Sequence, residues 1–227
     1  LGDPTTYVYS ENAALIIAHW VTSPFGLNRE VDWDKVEIEA DEADVIVLDR
    51  DGNPIPKWRL GGSYSASEDR EFTRAQMGVA SDTFFYEDTE GKVGFYVGRY
   101  MEPTVSISDL TDDINRIQYT EGQTGPELVN AMSVQYTEPT QGWREATSAT
   151  YAVDAPDEPY EEDSLSVFWT FVHNQAVRVA KRLLRLARAK YKITANLKWH
   201  AVRLIGERFF RLNHTEMGVD MTFEIDR

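Results

Sequence analysis

The run FVHNQAVRVAKRLLRLARAKYKITANLKWHA, residues 171–201, changes its period once. From Phe171 to Tyr191 apolar side chains recur three and four apart. Val172, Ala176, Ala180, Leu183 and Ala187 fall on one face, which predicts a long helix over 171–191. From Lys192 the spacing drops to two. Ile193, Ala195, Leu197, Trp199 and Ala201 alternate with Lys192, Thr194, Asn196, Lys198 and His200, the pattern of a half-buried strand. Val202–Leu212 reads as its continuation with a bend at Gly206, and Val219–Ile225 as a final strand. A long helix feeding into strands, with strands before it, makes the chain α+β.

The helix also carries charge. Arg178, Lys181, Arg182, Arg185 and Arg188 lie three or four apart and form one basic stripe. Three readings of it stay open: a solvated outer face, docking onto an acidic part of this or a neighbouring chain, or contact with nucleic acid. Residues 171–211 hold eleven Lys and Arg against Glu207 alone, whereas residues 1–170 hold 11 basic and 33 acidic groups. Opposite fields on one chain favour internal or subunit-to-subunit pairing. The net charge of −15 repels phosphate, and no aromatic interleaving along the stripe supplies base stacking.

The other elements follow upstream. Ser10 reads as an N-cap opening a helix through Ala13, Ala14, Ile16, Ile17, Trp20 and Val21, which ends at Ser23-Pro24-Phe25-Gly26. Asp34 opens a second helix with Val36, Ala40, Ala43 and Val47 inward and a solvated acidic face of Glu37, Glu39, Asp41, Glu42 and Asp44. Asp49–Pro54 is a turn, and Lys57–Leu60 with Tyr64 a strand. Ser67–Ala80 is a third helix packing through Phe72, Ala75, Gln76 and Val79. Phe84–Tyr86 and Val93–Val97 form a hairpin whose loop places Gly91 where a positive φ is needed. After Pro103 the texture changes. Ser106–Asp113 is turn-like, Ile117–Tyr119 is extended, Leu128–Tyr136 and Arg144–Val153 form a hairpin, and Asp154–Asp163 is an acidic loop. The residues thus read as an extended run at Tyr7-Val8-Tyr9, 11–102 as a small α/β subdomain, and 103–227 as the strand-rich unit with the long helix. A start at Leu1 rather than Met suggests trimming or a segment of a longer polypeptide.

Composition removes several function classes. No apolar run reaches the roughly 18 residues needed to cross a bilayer, so no membrane insertion is expected. The absence of cysteine excludes disulfides, thiolate metal sites and a cysteine nucleophile. His19, His173, His200 and His214 lie in different elements without metal-ligand spacing, and His19 reads as a packed or rim histidine. Gly61-Gly62-Ser63 is too short to cradle phosphate and reads as a bend. Abundant acids leave a glycosidase-type carboxylate pair open by counting alone, yet no local pattern sets two across a pocket. No cofactor, metal or catalytic residue is assigned, and the chain is expected not to be an enzyme.

The stretch Asn12–Leu27 followed by Val31-Asp32-Trp33-Asp34 resembles a signature of the tail-tip hub, or host-specificity (tip attachment), proteins of lambda-like long-tailed phages and related gene transfer agents. Their version reads approximately N-P-A, alternating apolar residues, then T-N-P-x-Y-G-L-G and I-D-W. Here Ala13 stands for the proline and Asn28 for the second glycine. Trp58–Gly62, the Phe84–Val97 hairpin, Val105–Leu110, Asn130–Trp143 and the helix with Ala176, Ala180 and Leu183–Ala187 resemble the family in the same order, over nearly the whole chain. The resemblance implies a trimeric hub that closes the tail tube, with 103–227 as a β-barrel-like tube domain around a DNA channel, 11–102 inserted beside it and 1–10 as the end of a preceding strand. It further implies distal tail and tape-measure proteins as partners, DNA passing without specific binding, synthesis in the host bacterial cytoplasm and residence at the virion tail tip. A tail-associated cell-wall hydrolase or carbohydrate-binding module is the alternative. Acidic side chains lining such a channel would let DNA slide without sticking.

Overall fold

A computed structural model describes residues 8–109, 115–121 and 128–225; the expected strand end in 1–10 lies largely outside these, as does the turn expected at 110–113. Helix α1 spans Ala13–Thr22 and is buried almost all round, through Ala13, Ala14, Ile17, Ala18, Trp20 and Val21. Its cap is Asn12, not Ser10. The Asn12 side-chain oxygen accepts from the Ala14 and Leu15 N–H groups at 3.0 and 3.3 Å, while its amide donates to the Ala40 carbonyl at 2.9 Å. Ser10 serves one step earlier, accepting from the Asn12 N–H at 3.1 Å. Helix α2, Trp33–Ala43, is capped by Asp32 rather than Asp34, because the Asp32 carboxylate reaches the Asp34 N–H at 3.2 Å.

The inner face of α2 is Val36, Glu39 and Ala43, so Glu39 is not on the solvated face where its charge placed it. Val47 falls beyond the helix, on a short hairpin of β1 (Ile46–Leu48) and β2 (Pro54–Pro56) around the expected turn. Lys57–Leu60 forms no ladder; only an isolated bridge from Arg59 to Asn12 remains of the expected strand. Helix α3, Arg70–Ser81, buries Thr73, Met77, Ala80 and Ser81, a face one residue on from that expected, and leaves Phe72 exposed. Its wheel carries apolar groups on both faces, and tertiary contacts decided between them. The hairpin of β3 (Phe84–Glu87) and β4 (Val93–Tyr96) forms as expected, with Gly91 at φ +80° in its turn.

Beyond residue 103, β5 (Ser106–Ser108) replaces the expected turn: Ile107, fully buried, pairs in parallel with Leu212. Strand β6 (Asn115–Glu121) covers the extended segment around Ile117. Strand β7 (Ala131–Glu138) is the centre of a sheet. It pairs antiparallel with β8 (Arg144–Thr147) and β9 (Tyr151–Ala152), and in parallel with β10 (Glu162–Ser166), which extends out of the acidic loop. Helix α4, His173–Ala187, packs across β7 and α3 through Gln175, Ala176, Val179, Ala180 and Leu184. Ala187, expected inside, is exposed.

Strand β11 (Tyr191–Asn196) pairs antiparallel with β6. The alternation predicted through Ala201 stops at Asn196, because Lys198 sits at φ +47° and its N–H bonds back to the Asn196 side chain at 3.2 Å. A 3-10 helix, Lys198–Leu204, follows. The chain is extended again only in β12 (Phe209–His214), which pairs with β13 (Val219–Glu224). The fold is thus mixed helix and sheet. The expected barrel is not closed among the described residues: the ladders stay separate, since β8 and β9 share one edge of β7 and the 3-10 helix ends β11 before it can join β12.

Two apolar clusters result. The larger draws Trp20, Trp58, Leu60 and Phe95 together with Val134, Tyr136, Trp169 and Leu184, so it spans both sides of residue 102. Gly61 and Gly62 lie where a Cβ would come 2.9 Å from Phe171 and 2.8 Å from Trp169, which explains the pair as close packing rather than a simple bend. The smaller cluster holds Ile107, Leu204, Leu212 and Val219.

Candidate functional site

The basic stripe of α4 is divided among separate partners. Arg178 lies half-buried over the Trp58 ring, 5.0 Å from its centroid, and donates to the Lys57 carbonyl. Burial without a carboxylate beside it pushes its guanidinium down to about 10. Lys181 sits 5.4 Å from the Tyr151 ring centroid. Arg188 grips Glu158 through two bonds of 2.8 and 3.0 Å, which holds the Glu158 carboxyl below its ordinary value. Arg185 is exposed.

Arg182 belongs to a ring of four charges. Its Nε lies 3.1 Å from Asp82, and a second nitrogen pairs with Glu224. Arg208, 3% exposed, bonds the same two carboxylates at 2.7 and 2.9 Å and the Asp82 carbonyl at 3.0 Å. Burial works against charge on Arg182, but Asp82 and Glu224 outweigh it and hold that guanidinium above its usual range. The ring joins the C-cap of α3, the middle of α4, the residue just before β12, and the end of β13. A second ionic group links α2 to the chain after β4. Buried Glu39 accepts from the Val97 N–H at 2.9 Å and pairs with Arg99 at 2.5 Å, while Lys57 pairs with Glu42 at 2.6 Å. Burial raises the Glu39 carboxyl, and the Val97 bond and Arg99 only partly offset it.

Little of this is arranged for chemistry. The open groove of about 360 Å³ between α3 and α4 is lined by Glu71, Asp82 and Glu224, and each is ion-paired with an arginine. A carboxylate whose oxygens are taken up by a guanidinium is poorly placed to reach a substrate. The Tyr136 hydroxyl contacts Glu138 at 2.7 Å and His173 at 3.1 Å; burial first, then Glu138, pushes this phenol up to about 12. His214 stands 3.5 Å from Asp109, and His19 is exposed. Among the described residues no three His, Cys, Asp or Glu side chains are grouped to hold a metal ion, and no helix is long and apolar enough to cross a membrane.

A sequence profile for the family described as "Putative phage tail protein" matches residues 102–227, more than half of the chain. The chain belongs to this family of phage tail proteins. Its fold is similar to that of the tail protein from Neisseria meningitidis MC58, with a TM-score of 0.52 and 16% identity over 93% of this chain and 60% of that one. A chain in the virion of a native gene transfer agent particle gives a TM-score of 0.55 at 14% identity, over 100% of this chain and 50% of that one. At such identities the likeness is one of fold. The tail protein thus spans half to three-fifths of the length of these two structures. No curated protein matches its sequence.

Sequence reasoning missed the two ionic groups of this tail protein. For Glu39 a signal existed: Val36, Glu39, Ala40 and Ala43 stand at the spacing of one helical face, so the acid had to point inward with them. For the ring of Asp82, Arg182, Arg208 and Glu224 there was none. The four residues come from four elements up to 142 positions apart, and only tertiary packing brings them together.

Proposed function

We propose that this tail protein is a structural part of the tail-tip hub, working as one of a ring of copies, three in the assembled tail. The ring would close the tube, and its open sheets would contribute to a barrel-like wall around the DNA channel. Distal tail and tape-measure proteins would contact it, and DNA would pass without specific binding. The observation that carries this reading is the match in fold, over the full length, to a chain of a gene-transfer-agent virion. Family membership supports it. The ion-paired state of the carboxylates lining the groove between α3 and α4 favours an assembly role over hydrolysis.

Deleting the coding segment and imaging the particles tests the proposal. Expected are particles with filled heads whose tails lack a finished tip and do not deliver DNA, restored by the chain supplied in trans. Intact tips and a normal titre would sink it. So would turnover of peptidoglycan by the purified chain that a single carboxylate substitution abolishes.

A further inference from the structure

The 3-10 helix Lys198–Leu204 displays an apolar ridge. Three residues per turn place positions three apart on one line. Leu204 turns inward to the smaller cluster, and the line one third of a turn away carries Trp199 and Val202, followed by Ile205 just past the helix end; the three are 86, 56 and 42% exposed. A tryptophan this exposed, in line with two β-branched residues, is an expensive surface for water to cover. Lys198 and Arg203 on the same 3-10 helix flank the ridge, with Arg203 also bonded to the Ser106 carbonyl at 3.0 Å.

One surface of the same chain is complementary. On the outer side of α2, Ile38 is 55% exposed, with Asp34, Glu37 and Asp41 at positions i−4, i−1 and i+3 around it. These three acids are exposed and carry no ion pair among the described residues. The ridge is apolar with basic neighbours, and the α2 face is apolar with mostly acidic ones, Lys35 on the same face being turned to Asp32 at 3.6 Å. The sign split between residues 171–211 and the preceding chain repeats that complementarity at large scale.

We propose that the Trp199–Val202–Ile205 ridge of one copy docks on the Asp34–Glu37–Ile38–Asp41 face of a second copy. The inference rests on the reading of the chain as one of a ring of copies and names the surfaces that join them. Two different surfaces meet, as a head-to-tail ring requires.

Because the chain has no cysteine, disulfide trapping is clean. Full chains carrying Val202→Cys and Ile38→Cys are purified separately, checked by circular dichroism, mixed and oxidised mildly. The mixture is expected to give a cross-linked pair at least tenfold in excess of either variant alone. Adding Lys198→Glu and Arg203→Glu to the first chain should suppress the product, and Asp34→Lys with Glu37→Lys on the second should restore it. No excess in the mixture, or a product indifferent to the charge reversals, overturns the contact. Wild-type binding to phosphatidylglycerol vesicles that Trp199→Ala abolishes, without cross-linking in the mixture, assigns the ridge to lipid and likewise overturns it. The two ideas fail separately. A missing cross-link beside tipless deletion particles removes only this contact, whereas a strong cross-link beside intact deletion tips removes the tip reading.

Discussion

Glu39 is the residue whose environment departs most from its surroundings in sequence. It stands among five acids on α2, yet it alone is buried, between the Val97 N–H and the Arg99 guanidinium. Removing one partner of a buried ion pair leaves the other uncompensated, so Glu39→Ala should cost about 3 kcal/mol of folding stability in urea titrations. Glu39→Gln keeps an acceptor for Val97 and should cost less. The pH dependence has a defined sign. Burial raises the carboxyl above its ordinary 4.5, so the folded chain keeps this proton when the unfolded chain has lost it. The Glu39 contribution is therefore fully present below the unfolded value, and it declines as pH rises from there through the folded value. Subtracting the Glu39→Gln stability curve from that of the wild type should expose this decline. Parallel curves between pH 4 and 7 would show that burial does not dominate the site. At this scale the sequence told charge but not direction, because inward placement is set by Val36 and Ala43, not by the acid itself.

Elements were legible where a single periodicity governed them. The existence of α1, α4 and the β3–β4 hairpin follows their spacing, although the buried face of α4 keeps only Ala176 and Ala180 of the face expected, adding Gln175, Val179 and Leu184. Ends and neighbours were less legible. Ser10 and Asn12 are both good caps, and the choice was made by the Asn12 amide, which also binds the Ala40 carbonyl on α2. Asn12→Ala should thus remove both the cap and the cross-helix bond, costing about 2 kcal/mol, with Ser10→Ala within about 0.5 kcal/mol of wild type. Equal losses from the two substitutions in thermal or urea unfolding would refute that assignment. Strands β5 and β10 went unread for a different reason. Each is three to five residues long with a partner 31 or more positions away in the chain, and no local pattern encodes a parallel partner. Likewise the alternation after Lys192 continues past Asn196, but the left-handed turn at Lys198 ends the strand.

At the scale of the molecule, the sheet of β5, β12 and β13 has its own apolar cluster, and the ring of Asp82, Arg182, Arg208 and Glu224 ties it to the helical core. Arg208→Met would leave two carboxylates facing one guanidinium in a largely buried seam, at a cost of about 3 kcal/mol. Arg185→Ala, exposed on the same stripe as Arg182, should stay within about 0.5 kcal/mol. Similar losses for both in urea titrations would mean that the ring contributes no more than a solvated charge. The sequence presented the stripe as one feature, but the fold gives its members unlike neighbours, which only the packing of α4 against α3, β7 and β9 decides. What joins all three scales is a chain whose buried charges hold elements together and whose exposed ones are mostly acidic before residue 171 and mostly basic from 171 to 211. The most direct test of its role in assembly is a cryo-electron reconstruction of purified tail particles containing the chain. Density for its fold is expected in a closed ring of three copies around the tube axis at the distal end. Particles from which the chain is missing, or copies placed along the tube or at the neck, would contradict that role.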